Sequence, residues 1–222
     1  MYEKLFMPEK FMERIDYKVA VDFLIDKHYS GRKPQIKYAF GLYEMGVLVA
    51  VCTYGIPASR PLCVGIMGEE YSDRVIELNR LLRIDTCITN MSEFVGFTLR
   101  ELKQYNLLVV SYADTGMNHT GAIYQATNFI YTGITKARTD KYVPGNKHSR
   151  HYTDENTHLR KVRTAKHRYI FFACNKRYKK RFKESLKYAV EPYPKGDKID
   201  YVLGEFIKPL IFNKNTQVYY TE

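Results

Sequence analysis

The run from Leu107 to Val110, in the stretch "NLLVVSYADTGMNHTG", constrains the fold most strongly. Four consecutive apolar residues are typical of a strand that is covered on both faces. A polar loop follows at once and carries Ser111, Asp114 and His119. A short helix is predicted next, from about Gly121 to Thr127, and Asn128 suits the left-handed residue that ends it. The stretch is therefore a strand–loop–helix unit with chemically useful side chains in its loop.

Periodicity predicts further elements on both sides of this unit. Val19 and Phe23 place an apolar stripe on a helix over 16–27 with Asp16 as its N-cap. Residues 36–56 read as two strands joined at Glu44-Met45-Gly46, where Gly46 supplies a positive φ. Residues 74–84 alternate like a strand, with a helix as the competing interpretation. Asn90 and Glu93 resemble a capping box that opens a helix reaching about Tyr105.

The remaining chain predicts one more strand, a polar region and a strand–helix pair. A strand starts at Phe129, and residues 138–165 read as a long polar loop or insertion. "RYIFFAC" (168–174) predicts a strand, and "NKRYKKRFKESLKY" after it predicts a basic helix. The order of elements predicts an α/β fold with a mixed central sheet flanked by helices and a basic C-terminal extension. We expect a core over 1–135, with 136–222 completing the same domain.

The excess positive charge is concentrated in one segment. Residues 136–187 contain 17 Lys and Arg against 4 Asp and Glu, a net charge of +13, whereas the rest of the chain has a net charge of −2. Such asymmetry favours a polyanionic partner, most often nucleic acid, over a basic surface kept for solubility. The segment also carries rings on which bases can stack, namely Tyr142, Tyr152, Tyr169, Phe171, Phe172 and Tyr178. The predicted DNA contacts are Arg168, Lys176, Arg177, Lys179, Lys180 and Arg181.

Several classes of protein are disfavoured. No run of eighteen apolar residues predicts a transmembrane helix, and Met1-Tyr-Glu-Lys-Leu-Phe lacks the centre of a signal peptide. The four cysteines are scattered without a C-x-x-C pair, which argues against a zinc ribbon. The same scatter favours a reducing cytoplasm. Ser111 lacks the G-x-S-x-G elbow of a serine hydrolase, and no P-loop is present.

The element order and one motif resemble the GNAT acetyltransferases. In that family a strand is followed by a short helix with a tyrosine, a left-handed residue and a phenylalanine, and here the motif reads Tyr124-Gln-Ala-Thr-Asn128-Phe129. The resemblance implies that Tyr124 protonates a departing CoA thiolate; the alternative is a core aromatic residue. The glycine-rich loop with which these enzymes hold the CoA pyrophosphate is replaced by Cys87-Ile-Thr-Asn-Met-Ser92. The helix N-terminus there could still bind phosphate through Asn90 and Ser92.

A second resemblance, to the phage Mom-type adenine modification proteins, extends over most of residues 20–195. It is carried by His28-Tyr29-Ser30, the hairpin with Gly41 and Gly46, Gly55-Ile-Pro57-Ala58-Ser59, Glu77-Leu78-Asn79-Arg80-Leu81, Asn90-Met-Ser92-Glu-Phe94, Ser111-Tyr-Ala-Asp114, His119-Thr-Gly121, Tyr124-Gln-Ala126, Lys166-His-Arg168-Tyr169 and Tyr193-Pro-Lys195. It implies modification of adenine N6 in DNA to a carbamoylmethyl-type adduct that protects phage DNA from restriction in the host cytoplasm. It also implies an acyl-CoA donor and, for the chemistry, iron.

The candidate site residues then take roles that the resemblance implies. His28 is a base or metal ligand and Tyr29 orders the target base; alternatively, His28 favours a helix C-terminus and Tyr29 packs on the core. Asp114 takes the proton lost from adenine N6, or binds a metal with His28 and His119; alternatively, it is a turn carboxylate.

Other residues would support the chemistry. Ser111 belongs to the catalytic group, and Arg80, Asn90 and Ser92 contact the cofactor. Arg80 lies mid-strand, where a charge needs a partner such as Glu77, Asp114 or a phosphate.

The predicted function is a transferase that acts on an adenine flipped out of duplex DNA, because N6 is shielded within the stack. Two other classes stay open. One is a CoA-dependent acyltransferase acting on a protein or small amine, and the other is a DNA-binding protein without enzymatic activity.

Overall fold

The computed structural model describes residues 9–25, 27–28, 33–145, 151–196 and 208–221. Within these residues there are eleven strands and five α-helices. In chain order they are β1 (Lys10–Arg14), α1 (Tyr17–Leu24), β2 (Tyr38–Glu44), β3 (Val47–Gly55), α2 (Arg60–Tyr71), β4 (Val75–Arg83), α3 (Met91–Leu102), β5 (Leu107–Asp114), α4 (Ala122–Ala126), β6 (Ile130–Ile134), β7 (Arg138–Lys141), β8 (Leu159–Arg163), β9 (Lys166–Ala173), α5 (Lys176–Ser185), β10 (Leu210–Asn213) and β11 (Val218–Thr221).

Seven of the described strands form a mixed central sheet in the order β1-β2-β3-β4-β5-β9-β6. All neighbouring strands in it are antiparallel except β4 and β5, which are parallel. The predicted α/β fold with a mixed sheet flanked by helices is confirmed. β9, from the C-terminal part of the chain, lies between β5 and β6 and so belongs to the central sheet.

The β2–β3 hairpin forms as its sequence predicts. Met45 and Gly46 have φ values of 49° and 79°, the two positive values that a tight hairpin turn needs. β3 then pairs with β4 with a register shift between Thr53 and Tyr54. Asn79 lies at this irregularity, where its side chain accepts a hydrogen bond from the Thr53 hydroxyl and donates to the Gln35 carbonyl.

Helices cover both faces of the sheet. On one face, Phe94, Val95, Leu99 and Leu102 of α3 pack with Leu107 and Val109 of β5. On the other face, Ile66 and Met67 of α2 and Phe182 of α5 pack with Leu108 and Val110. We name these the α3 face and the α5 face. The alternation of adjacent apolar residues between them explains why β5 has a continuous apolar sequence.

The short helix after β5 also agrees with the sequence. α4 is followed by Asn128 with a φ of 61°, so the residue predicted to be left-handed is left-handed. Gly121, just before α4, has a φ of 81°, and a Cβ there would collide with the ring of Tyr169. The glycine is therefore required for both backbone conformation and space.

The interpretation of residues 138–165 as a loop is wrong. β7 and β8 lie in this region and pair with each other, and β10 and β11 extend them into a four-stranded sheet in the order β11-β10-β8-β7. We name it the second sheet. Ion pairs from Asp140 to Arg138 and Arg163 support its charged strands, and Tyr142, Leu159 and Ile211 form its buried cluster.

Within the described residues, no helix has both the length and the apolar character needed to cross a bilayer. All four cysteines are free and buried.

Candidate active site between the splayed strands

A cleft opens where β4 and β5 separate. The two strands pair only from Val75–Leu108 to Glu77–Val110, although β4 continues to Arg83 and β5 to Asp114. The cavity between their diverging ends has a volume of about 580 Å³. It is lined by β4, by the end of β5, by the start of α3 and by α4. This is the end of the sheet at which the loop after β5 lies.

The cleft has two chemically different sides. Residues of β4 and β5 alternate between the faces of the sheet, so Glu77 follows Val75, and Tyr112 follows Val110, onto the α5 face. Tyr124 and the N-terminus of α3 line the cleft from the α3 face. A passage through the sheet therefore connects a helix N-terminus with a group of charged side chains.

Most of the predicted site residues line this one cavity. They are His28, Arg80, Asn90, Ser92, Asp114, His119 and Tyr124. Tyr29 lies outside the described residues. Ser111 does not line the cavity: it is fully buried, and its hydroxyl donates to the Leu78 carbonyl over 3.1 Å. This hydrogen bond links β5 to β4 just after the last paired residues, Glu77 and Val110.

Asp114 is the last residue of β5 and contacts Thr164 and Lys166, which follow β8. Its carboxylate accepts hydrogen bonds from the Gly116 N–H and the Thr164 hydroxyl, and forms an ion pair with Lys166 over 3.1 Å. Burial alone would raise the pKa of this carboxyl, but the Thr164 hydroxyl and the Lys166 charge outweigh it and lower the pKa. A carboxylate held in this way is a weak base and a strong structural anchor.

His28 is almost completely buried in the cleft wall. Burial and the positive charge of Arg80 lower its pKa to about 3, so the imidazole is neutral near pH 7. A group with this pKa holds a proton too weakly to serve as an efficient general base at neutral pH. A neutral imidazole remains well suited to hydrogen bonding.

The predicted metal set is not assembled. Among the residues that the structure describes, no group of three or more His, Cys, Asp or Glu side chains could hold a metal ion. Burial lowers the pKa of His119, which lines the same cavity as Asp114, but the Asp114 oxygens are engaged by Lys166, Thr164 and Gly116. The described residues therefore do not fit an iron site.

Glu77 and Tyr112 line the cavity but were not among the predicted site residues; the sequence indicated Glu77 only as a partner for Arg80. Both line the cavity on the α5 face. Burial raises the pKa of Glu77, against the opposing charges of Lys166 and Arg80. Burial and the nearby Glu77 raise the pKa of Tyr112. The sequence signal that could have identified Glu77 is the alternation of β4, which places Glu77 on the same face of the sheet as the buried Val75.

Tyr124 is fixed by aromatic packing. Its ring lies 5.3 Å, between centroids, from each of the rings of Phe129 and Tyr169. Tyr169 is fully buried and its hydroxyl donates to the Thr120 carbonyl. These contacts hold α4 against β9 and aim its start at the cavity.

The N-terminus of α3 is aimed at the cleft by a buried carboxylate. Glu44 accepts hydrogen bonds from the Ile88 N–H, the Thr89 N–H and the Thr89 hydroxyl, over 3.1, 2.8 and 2.5 Å. The Asn90 side chain makes no capping hydrogen bond. The first turn of α3 thus presents N–H groups of the kind that bind phosphate.

The predicted DNA contacts fall into two groups. Arg168 is committed within the protein: it donates two hydrogen bonds to Thr132 and its guanidinium lies 3.3 Å from the ring centroid of Tyr188. The others are exposed on α5, namely Lys176, Arg177, Lys179, Lys180 and Arg181. α5 packs through Phe182 on the same face of the sheet as Glu77 and Tyr112.

Comparison with known families decides the classification. The model of the Mom protein family matches residues 9–195. The chain belongs to the Mom protein family. The resemblance drawn from the sequence is thereby confirmed, and with it a place among phage DNA-modification proteins. No curated protein sequence matches this member of the Mom family.

Solved structures that resemble this Mom-family chain are acetyltransferases. An N-acetyltransferase from Staphylococcus aureus is 12% identical, covers 75% of this chain and 99% of its own, and has a TM-score of 0.45. The ribosomal-protein-S18-alanine N-acetyltransferase from Escherichia coli is 10% identical, with 75% and 95% covered and a TM-score of 0.44. An acetyltransferase candidate from Salmonella typhimurium, solved with acetyl-CoA, is 8% identical, with 75% and 95% covered and a TM-score of 0.47.

Proposed function

We propose that this Mom-family chain is a transferase that modifies adenine N6 in duplex DNA by attack of N6 on an acyl-CoA thioester, and that the modification protects phage DNA from restriction. The carbamoylmethyl-type adduct that the sequence resemblance implies has a CH₂ group on N6 and is not the direct product of this step. The observation that carries the proposal is the two-sided cleft. One side offers a helix N-terminus to an anionic donor, and the other offers a carboxylate–lysine cluster to an acceptor. Membership of the Mom family supports DNA as the acceptor.

The residues on the α3 face fit an acyl-CoA. Its phosphates would be held by the first turn of α3, around Asn90 and Ser92, and by the guanidinium group of Arg83 that lines the same cavity. Arg80, predicted to contact the cofactor, alternates with Leu81 onto the opposite face, where its charge lies near Glu77 and His28. When bound, acyl-CoA supplies an acyl group activated as a thioester. Tyr124, on this side of the cleft, is the residue proposed to give a proton to the departing thiolate.

The acceptor amine must lose a proton, because the lone pair of adenine N6 is delocalised into the ring. We assign this task to Glu77 rather than Asp114. The raised pKa of Glu77 makes it the stronger base, whereas the lowered pKa of Asp114 and its three partners make it a poorer one. Lys166 lies near both carboxylates, and its charge lowers the pKa of each; for Glu77 this effect is smaller than that of burial.

The acceptor must also reach the cleft. Adenine N6 is shielded within a duplex, so the base leaves the stack before it reacts. The exposed cations of α5 lie on the same face of the sheet as Glu77 and are proposed to hold the DNA backbone. Such binding weakens as salt rises, since each phosphate contact releases a counterion.

Nucleoside mass spectrometry of DNA from cells that express the chain tests the proposal. The parental protein should give a modified deoxyadenosine, and Glu77→Gln should reduce it at least about a hundredfold, in keeping with loss of a general base. Asp114→Asn is the matched control: it removes the neighbouring carboxylate charge but should keep measurable modification.

Three outcomes would contradict the assignments. An unmodified DNA pool with the parental protein would favour a DNA-binding protein without enzymatic activity. Acylation of free amines in the absence of DNA would favour the acyltransferase class. A Glu77→Gln variant as active as the parent would remove Glu77 as the base.

A further inference from the structure

We propose that the open face of the second sheet docks a DNA strand beside the modified base, an inference that rests on the proposed function. Its basis is a row of four side chains, one from each strand. Lys141 of β7 is paired with Arg160 of β8, Arg160 with Phe212 of β10, and Phe212 with Tyr219 of β11. Directly paired residues of antiparallel strands share one face. The row therefore crosses the sheet as two cations followed by two aromatic rings.

The opposite face of the second sheet is the buried one. Leu159 and Ile211 alternate with Arg160 and Phe212, and they form the small core with Tyr142. By the same alternation the row lies on the face away from that core. Tyr219 is 60% exposed, which is high for a ring of this size.

The row is ordered, as a binding surface requires. The rings of Phe212 and Tyr219 lie 4.7 Å apart with an interplanar angle of 31°. Arg160 donates hydrogen bonds to the Thr139 hydroxyl and carbonyl, over 3.2 and 2.8 Å. Lys141 lies over the ring of Tyr152, 4.8 Å from its centroid. Side chains held in this way lose little further freedom when a partner binds.

The chemistry of the row matches a nucleic acid strand. Cations beside the exposed ring of Tyr219 let phosphates pair with Lys141 and Arg160 while a base or sugar stacks on that ring. Stacking on a ring tolerates any base, so the surface would hold DNA without selecting its sequence. A partner that is simply acidic would use the cations and leave the rings without a role.

The position of the second sheet fits this use. β8 leads through Thr164 directly to Lys166, and both residues contact Asp114 at the cleft. Arg160 precedes Thr164 by four residues, roughly 13 Å along an extended strand. At about 3.4 Å per nucleotide, that distance spans about four nucleotides from the base in the cleft. The β10–β11 hairpin, which supplies both rings, lies beyond residue 195, where the Mom-family match ends.

A fluorescence experiment tests the surface directly, because the chain contains no tryptophan. Tyr219→Trp places one indole in the row. Tyr220→Trp is the matched control, since Tyr220 is the next residue of β11, is paired with Ile211 and belongs to the other face. A duplex oligonucleotide with one unpaired adenine should quench the first indole and leave the second unchanged.

Affinity measurements provide the second test. Tyr219→Ala should weaken binding of the same oligonucleotide about tenfold, within the range for loss of one stacked base, whereas Tyr219→Phe should stay within about twofold. Arg160→Glu should reduce the slope of log affinity against log salt by about 1, and Lys18→Glu on α1 should not. The effect of Arg160→Glu should vanish when fewer than about four nucleotides flank the adenine on either side.

The outcomes separate this inference from the proposed function. The docking surface is overturned if both indoles are quenched equally, or if Tyr219→Ala and Arg160→Glu bind with parental affinity. In that case adduct formation by the parental protein still leaves the proposed function intact. Parental protein that binds the oligonucleotide through the row but forms no adduct overturns the proposed function alone. Parental protein that does not bind the oligonucleotide overturns both. Binding of an acidic polypeptide that quenches the Tyr219→Trp indole as strongly as DNA overturns the assignment of DNA as the partner.

Discussion

Replacing Glu44 with glutamine should destabilise the fold by about 3 kcal/mol. The carboxylate of Glu44 accepts hydrogen bonds from the Ile88 N–H, the Thr89 N–H and the Thr89 hydroxyl. The amide in Glu44→Gln keeps one acceptor oxygen and turns an NH₂ group toward the remaining donor. Loss of one hydrogen bond to a charged acceptor costs about 1.5–3 kcal/mol, and the part-buried Ile88 N–H left without a partner adds the lower end of about 1–3 kcal/mol. Because the loop relaxes in part, we expect a destabilisation in the lower part of the summed range, about 3 kcal/mol.

Urea unfolding at neutral pH measures this change in the free energy of unfolding. Glu93→Gln is the control, because Glu93 pairs with Lys10 over 2.7 Å with side chains that are 49% and 43% exposed. Such an exposed pair contributes at most about 1 kcal/mol. A Glu44→Gln variant within about 0.5 kcal/mol of the parent would refute the reasoning.

The same variant has a defined pH dependence. Burial would raise the pKa of Glu44, but the hydrogen bonds from Thr89 and Ile88 outweigh it and lower the pKa in the folded state. A lowered folded-state pKa gives stability that is fully present above the unfolded value, about 4.3, and is lost as the pH falls through the folded value. The gap between parent and Glu44→Gln should therefore narrow in acid. A gap that is constant down to about pH 3 would mean that the charge of Glu44 contributes nothing.

Three further changes test other parts of the structure. The pKa of His28 is about 3 in the folded state and about 6.5 in the unfolded state, so the free energy of unfolding falls as the pH drops from 6.5 toward 3. At pH 5.5 this loss is about 1.4 kcal/mol, and it should be absent in His28→Gln when both proteins are compared by urea unfolding. Arg168→Lys should lower the free energy of unfolding by about 1–2 kcal/mol through loss of its Thr132 hydrogen bonds and its contact with Tyr188, and a variant of parental stability would contradict this. Lys179→Glu combined with Lys180→Glu should reduce the salt slope of DNA binding by about 2 without changing stability, and an unchanged slope would remove α5 from the interface.

The parts of the fold that the sequence predicted are those with a clear local pattern. β5 has its apolar run, β4 alternates, and α3 has an apolar stripe, and all three form as expected. β1 and α2 were missed because their patterns are weak. β1 is a mostly polar edge strand defined by its pairing with β2, and α2 contains Gly65 and Gly68, the latter with a φ of 71°.

The second sheet was missed for a related reason. Its strands β7 and β8 are short and charged, so no apolar alternation marks them. They are held by pairing with each other, by the Asp140–Arg163 ion pair over 2.8 Å, and by β10, which lies about fifty residues further along the chain. Contacts at such separations have no signature in a local window of sequence.

The candidate site shows the same limit. Loop residues such as His119 and Asp114 could be identified because polar side chains after a buried strand gather at the end of a sheet. The separation of β4 from β5 is a tertiary feature, and it decides that Glu77 lines the cavity while Ser111 is sealed between strands. Local sequence gave no measure of that separation.

The part of the second sheet formed by β7 and β8 leaves and re-enters the core at neighbouring points. β6 ends at Ile134, which is paired with His167 at the start of β9, and the Thr135 N–H donates to the Lys166 carbonyl over 2.8 Å. Chain that leaves and returns at neighbouring points can change in length or be exchanged with little strain on the strands beneath it. Evolution could thus lengthen, shorten or replace the segment between Ile134 and Lys166 while the strands that line the cavity keep their places.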